Sequence, residues 1–187
     1  MGCGRGRVRQ AGVRWCGRRL AGLLALALLG GCSAALDWRQ LQPEGWSLSA
    51  ALPCKPASQQ RRVSLAGQAL VLTMLACTTD GHTFALASAD LGDPAAVGAV
   101  LQALGRAAQA NVQGQVLAEQ AAAVPGMTPN PGARRWRLQG RLPDGQAVAE
   151  QVQVFAHGTR VFQAAVIGPQ ADEARAGPFF DGLKVLP

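Results

Sequence analysis

The stretch that decides the fold runs from Ala69 to Ala110 and reads ALVLTMLACTTDGHTFALASADLGDPAAVGAVLQALGRAAQA. Residues 69–78 are almost continuously apolar, which suits a central strand. Asp80-Gly81 is a strong hairpin sequence, and His82–Ala89 supplies the returning strand. Then the hydrophobic period changes from two to 3.6. Asp93 is placed to cap a helix and Pro94 suits its first position. Val97, Val100, Leu101, Leu104 and Ala108 follow at helix spacing to about Ala110. Arg106 is this helix's one charge, and its outer face is mostly Ala, Gly and Gln.

Working outward toward the amino terminus, Arg61–Ala66 forms a strand that turns at Gly67-Gln68. Before it, Trp46, Leu48, Ala50 and Leu52 alternate with polar or small residues and give a first strand ending at Pro53. One short helical turn is expected around Asp37–Leu41. On the other side the pattern weakens after Asn111. Residues 125–132 hold three prolines and form a loop, because proline removes a donor from any ladder. Arg134–Leu142 puts Trp136, Leu138, Gly140 and Leu142 on one face, and Arg135, Arg137, Gln139 and Arg141 on the other. A three-residue loop at Asp144–Gln146 then sets Leu142 opposite Val148, Leu138 opposite Val152, and Glu150 opposite Gly140. His157-Gly158 turns into a strand over Arg160–Ile167. Asp172 and Glu173 open a last helical stretch that Pro178 interrupts, with Phe179, Phe180 and Leu183 as its apolar contacts.

Hairpin-linked strands with helices outside the meander mean an α+β fold. The expected architecture is an antiparallel sheet of about six or seven strands, with the long helix after the fourth strand and another helix at the carboxyl end. The segments Leu52-Pro-Cys-Lys-Pro56, Thr83-Phe-Ala-Leu-Ala87, the helix ending at Asn111, and Gly158-Thr-Arg-Val-Phe-Gln163 carry a family likeness. Over about residues 46–185 the pattern resembles the PsbP-like α/β/α sandwich and the small exported proteobacterial proteins that share it. These are core and turn residues, so the resemblance implies a fold and transfers no active site.

Charge is concentrated at one end. The chain has 18 Lys+Arg and 11 Asp+Glu, a formal +7. Six of the basic residues (Arg5, Arg7, Arg9, Arg14, Arg18, Arg19) fall in the first 19 positions, leaving 12 basic against 11 acidic, or +1, elsewhere. The basic balance therefore does not point to a nucleic-acid partner. After Arg18-Arg19 come ten uncharged residues, Leu20–Leu29. A spanning helix needs about 20 apolar residues, so this is the hydrophobic core of an export signal. Leu29-Gly30-Gly31-Cys32 resembles the lipobox of bacterial lipoproteins. That resemblance implies cleavage between Gly31 and Cys32 and acylation of Cys32, whose thiolate is the nucleophile. The division expected is a signal over 1–31, a lipidated tether over 32–45 and a single domain over 46–187. Ser33 is not the Asp that retains many such lipoproteins in the inner membrane, so the outer membrane, facing the periplasm, is the expected location.

In an oxidising compartment the even pair Cys54 and Cys77 is expected to form a disulfide. The competing reading is a metal site of Cys77, Asp80 and His82, which lacks any Cys-x-x-Cys or His-x-x-x-His spacing; no metal or cofactor is expected. The sequence contains no Gly-x-Ser-x-Gly, Ser-x-x-Lys, His-Glu-x-x-His or Gly-x-x-x-x-Gly-Lys pattern. Two histidines, His82 and His157, sit at turns, and Glu150 is the one acid placed on an apolar strand face. An enzyme would need a cleft uniting one of those histidines with Glu150, and no catalytic residue is expected. The leading expectation is a non-enzymatic, lipid-anchored envelope protein acting by surface contact. Its candidate surface is the Arg/Gln ledge of Arg135, Arg137, Gln139, Arg141, Gln151, Gln153 and Gln163, or the Pro-rich loop. The partner expected is an envelope protein or an anionic lipid. The rival is a small-ligand or lipid carrier with a pocket between helix and sheet.

Overall fold

In the computed structural model, residues 36–170 and 173–187 are described. The leader, Gly31, Cys32 and Asp172 lie outside them. The elements in chain order are β1 (Arg39–Leu41), β2 (Leu48–Leu52), β3 (Ala57–Leu65), β4 (Gln68–Thr79), β5 (His82–Asp90), a 3-10 turn (Pro94–Ala96), α1 (Val97–Asn111), β6 (Gln115–Ala121), β7 (Arg134–Arg141), β8 (Ala147–His157), β9 (Arg160–Gly168), α2 (Glu173–Asp181) and β10 (Lys184–Val185). Seven strands form one antiparallel sheet in the order β3-β4-β5-β9-β8-β7-β6, and β1-β2-β10 form a small second sheet. The fold is α+β, and among the described residues no helix is long and apolar enough to cross a membrane.

Strand alternation sorts the core onto two faces. Val152, Val154, Ala156 and Val161 point toward Val97, Val100, Leu101, Leu104 and Ala108 of α1. The intervening residues Phe155, Phe162, Ala164 and Val166, with Phe84 and Leu86, meet Ala176, Phe179 and Phe180 of α2 and Leu48, Ala50 and Leu52 of β2. The large sheet therefore carries α1 on one face and α2 with the small sheet on the other. Phe155 stacks on Phe162 with ring centroids 5.0 Å apart, and Phe84 meets Phe179 edge-on at 5.8 Å.

The turns explain the hairpins. Asp80 and Gly81 both have positive φ, 50° and 71°, the geometry of a type I′ turn that matches the strand twist. Ala66 and Gly67 do the same between β3 and β4, so Leu65 pairs with Gln68 and the turn sits one residue earlier than expected. Asp93 caps as read: its Oδ1 accepts from Ala95 N at 2.9 Å, with Pro94 next to it.

Several expectations are corrected. Residues 39–41 are a strand: Arg39 pairs with Leu52, and Asp37 N donates to Pro53 O at 2.9 Å. Pairing with β2 overrides the local helical preference, extends the fold into the expected tether, and makes α1 follow the fifth strand. The apolar run of β4 is not central; β4 lies second from the edge, with Val71 exposed. The truly interior strands are β5, β9 and β8. Pro178 does not interrupt the last helix but lies inside α2 on its exposed side, where loss of one helical donor is tolerable.

The β7–β8 register is shifted by two residues. Arg141 pairs with Ala147 across a five-residue loop, 142–146, so Leu138 faces Glu150, Trp136 faces Val152 and Gly140 faces Val148. A three-residue loop requires Pro143 to close the ladder, which it cannot do without an N–H. The shift by two keeps every side chain on its expected face. It also frees Gly140 to receive the end of α1, where Val112 O accepts from Arg141 N at 2.6 Å. A Cβ at Gly140 would lie 2.0 Å from that oxygen.

Candidate functional site

The expected ledge divides by depth. Arg135, Arg137, Gln139 and Arg141 of β7 share the α2 face with Gln151 and Gln153 of β8. Gln151 and Gln153 are buried, and Arg135 is held down. Its Nη2 donates to Gln151 Oε1 at 2.6 Å and to the Glu173 carboxylate at 3.1 Å, and its guanidinium lies 4.1 Å from the Phe180 ring centre. Arg135 thus rivets β7 and β8 to α2. Gln153 Nε2 has no hydrogen-bond partner among the described residues. Arg137, Gln139 and Arg141 remain exposed. Gln163 is not part of this ledge: it pairs with Ala87 and Val154, and Val154 belongs to the α1 face. A depression of about 320 Å³ lies beside Arg135, Arg137, Gln151, Glu173, Ala118 and Gln120.

A larger opening lies on the opposite face, where α1 overhangs β6 and β7. Its volume is about 340 Å³, and its walls are Gln102, Gly105, Arg106 and Gln109 of α1, Val116 and Glu119 of β6, Pro131 and Gly132 of the loop, and Arg134, Trp136 and Leu138 of β7. Four α1 residues spaced at 102, 105, 106 and 109 form one stripe along the helix. Gly105 sets the depth, because a Cβ there would lie 2.5 Å from the Trp136 ring. Arg134 Nε lies 3.2 Å from Glu119 Oε1 across the strand pair. Deeper in, between α1 and β8–β9, the packing is closed: Val100, Leu101, Val152 and Val154 are all fully buried. β6 is one of the sheet's two edge strands and bears a bulge between Val116 and Ala118. Val116 and Leu117 are 43% and 59% exposed there, large apolar side chains left in solvent. The carrier expectation placed a pocket between helix and sheet but named none of these walls; a helix with a single charge was their visible trace in the sequence.

The remaining candidates are separated. Glu150 lies on the α1 face of β8, 7% exposed, and its Oε2 has no hydrogen bond among the described residues. Burial pushes its carboxyl up to about 7. His82 stands at one end of the sheet on the other face, its Nδ1 2.7 Å from Asp80 O and its Nε2 2.6 Å from Gln170 O. Gly168 makes room for that ring. His157 lies at the opposite end of β8, with Nδ1 3.2 Å from Gly126 O. Among the described residues the three do not come together: His82 and Glu150 lie on opposite faces of the sheet, and His157 is seven positions from Glu150 along β8. Cys54 and Cys77 are disulfide-bonded, with Cα atoms 5.9 Å apart. Asp80 pairs with Arg175, whose hydrogen bond and charge hold its carboxyl below the ordinary value. The three residues weighed as metal ligands thus each have another partner.

No family model matches the chain, and no curated protein is similar to it. Among solved structures it is similar to the solution structure of cyanobacterial PsbP (CyanoP) from Synechocystis sp. PCC 6803. The identity is 12%, the match covers 86% of this chain and 98% of that one, and the TM-score is 0.45.

Proposed function

We propose that this chain is a lipid-anchored envelope protein that works by non-covalent binding at the margin where α1 overhangs β6 and β7. The observation that carries the reading is the cleft of about 340 Å³ bordered by the exposed apolar bulge of β6. Contiguous exposed apolar surface beside a concave, partly polar wall is what an interaction site presents. The anchor is Cys32, supported by the Leu29-Gly30-Gly31-Cys32 lipobox-like sequence after ten uncharged residues. Two acyl chains or more hold a protein firmly to a bilayer. Asp37 is already hydrogen-bonded into the fold, so only four residues, 33–36, lie between it and Cys32. Such a link reaches at most about 17 Å, which keeps the domain against the bilayer. The partner is an envelope protein presenting an acidic, partly apolar surface to Arg106, Val116 and Leu117. A photocrosslinking residue at Leu117 is expected to give one discrete adduct in intact cells, and the same residue at Gln59, on the opposite sheet edge, none. Equal adducts from both positions, or none from Leu117, contradict the reading.

The second reading, a small-ligand carrier, is favoured by the same cleft's volume, which falls at the lower end of small-molecule sites. A lipid enclosed beneath α1 is not supported, because that layer is closed.

A further inference from the structure

We infer that the cleft between α1 and the β6–β7 pair binds a small ligand with a planar apolar body and a single carboxylate group; this rests on the carrier reading above. The body is set by Trp136. Its ring is pinned against the backbone of α1 at Gly105, and Val116, Pro131 and Leu138 continue an apolar wall around it. Aromatic rings prefer offset or edge-on partners, which a flat ligand supplies.

The charge is set by Arg106. It is the one charged residue of α1, and among the described residues it has no ion pair. Arg134, the other cation of the cleft, is held by Glu119. Two arginines and one glutamate leave +1 at the site, which a monoanion balances and a polyanion overshoots. A guanidinium presents a planar fork matched to the two oxygens of a carboxylate. Gln102 and Gln109 flank Arg106 one turn away on either side and add amide donors and acceptors to the same wall. The volume of about 340 Å³ admits a bicyclic ring with a short acid group and little more.

The test uses two probes of nearly the same shape, 2-naphthoate and 2-naphthamide, in which a neutral carboxamide replaces the carboxylate. The full chain in lauryl maltoside is dialysed to equilibrium against matched detergent. Naphthoate is expected to bind one to one, and Arg106→Gln to weaken it at least tenfold while leaving naphthamide unchanged. Arg61→Gln, the same charge change on the exposed β3 edge, is expected to alter neither. Gln102→Trp, which fills the mouth from an exposed helix position, is expected to abolish both. Thermal melts of the three variants are expected to match the parent, since all three side chains lie on the surface. Naphthoate bound equally by the parent and Arg106→Gln overturns the inference. Naphthamide binding without naphthoate overturns the charge assignment but spares the carrier reading. Absence of binding by either probe overturns both.

Discussion

Glu150 and Arg135 show how differently two charged residues on one strand pair are treated. The folded chain keeps a proton on Glu150 up to about pH 7, whereas the unfolded chain releases it near 4.5. Between those values the folded state binds more protons, so stability falls as pH rises through that window and levels off above it. The difference amounts to about 3 kcal/mol. Glu150→Gln is expected to remove that slope: urea midpoints measured at pH 5 and pH 8 will separate widely for the parent and hardly at all for the variant. Equal separation in both contradicts the placement. Arg135→Ala removes its hydrogen bond to Gln151, its ion pair with Glu173 and its contact with the Phe180 ring, and is expected to cost about 2 kcal/mol. Arg137→Ala, on the same face but exposed, is expected to stay within about 0.5 kcal/mol in the same denaturation series. The sequence shows both arginines alternating on one face. It does not show depth, because α2, which covers Arg135 and leaves Arg137 bare, arrives some forty positions later in the chain.

At the scale of elements, α1 was readable from its cap and spacing, and the β4–β5 hairpin from Asp80-Gly81. Turn chemistry is local, so it survives in the sequence. The β7–β8 faces were legible from alternation, but their register was not, because it is fixed jointly by Pro143 and by the landing of α1's end on Gly140. β1 was invisible for the same reason: three residues form a strand only because β2 lies beside them. The cleft depends on a contact of this tertiary kind, the seat of Trp136 against Gly105. Alanine is a better helix former than glycine by about 1 kcal/mol. Gly105→Ala is nevertheless expected to lower the melting temperature and change Trp136 fluorescence, since its Cβ collides with the ring. Gly98→Ala on the same helix meets the Asn130 side chain at 3.9 Å, ordinary contact, and is expected to raise it. Matching shifts for the two substitutions contradict the packing described.

For the whole molecule, the disulfide and the anchor bear on the same claim, that the domain works outside the cytosol. Cys54–Cys77 ties the segment after β2 to β4, closing a loop with a sequence separation of 23. Replacing both by serine is expected to cost about 3 kcal/mol, read as a lower denaturation midpoint that reductant no longer changes. The pair was legible by counting cysteines once the leader's were set aside. The small sheet that β2 and β10 build over α2's side of the core was not, because its partners come from opposite ends of the chain.

The most direct measurement is the intact mass of the protein extracted from the membrane fraction. The account predicts a chain beginning at Cys32, heavier than its sequence by attached acyl groups and lighter by the two hydrogens lost in the Cys54–Cys77 bond. A chain in the soluble fraction that retains its arginine-rich leader, carries no acyl mass and has both thiols reduced contradicts it.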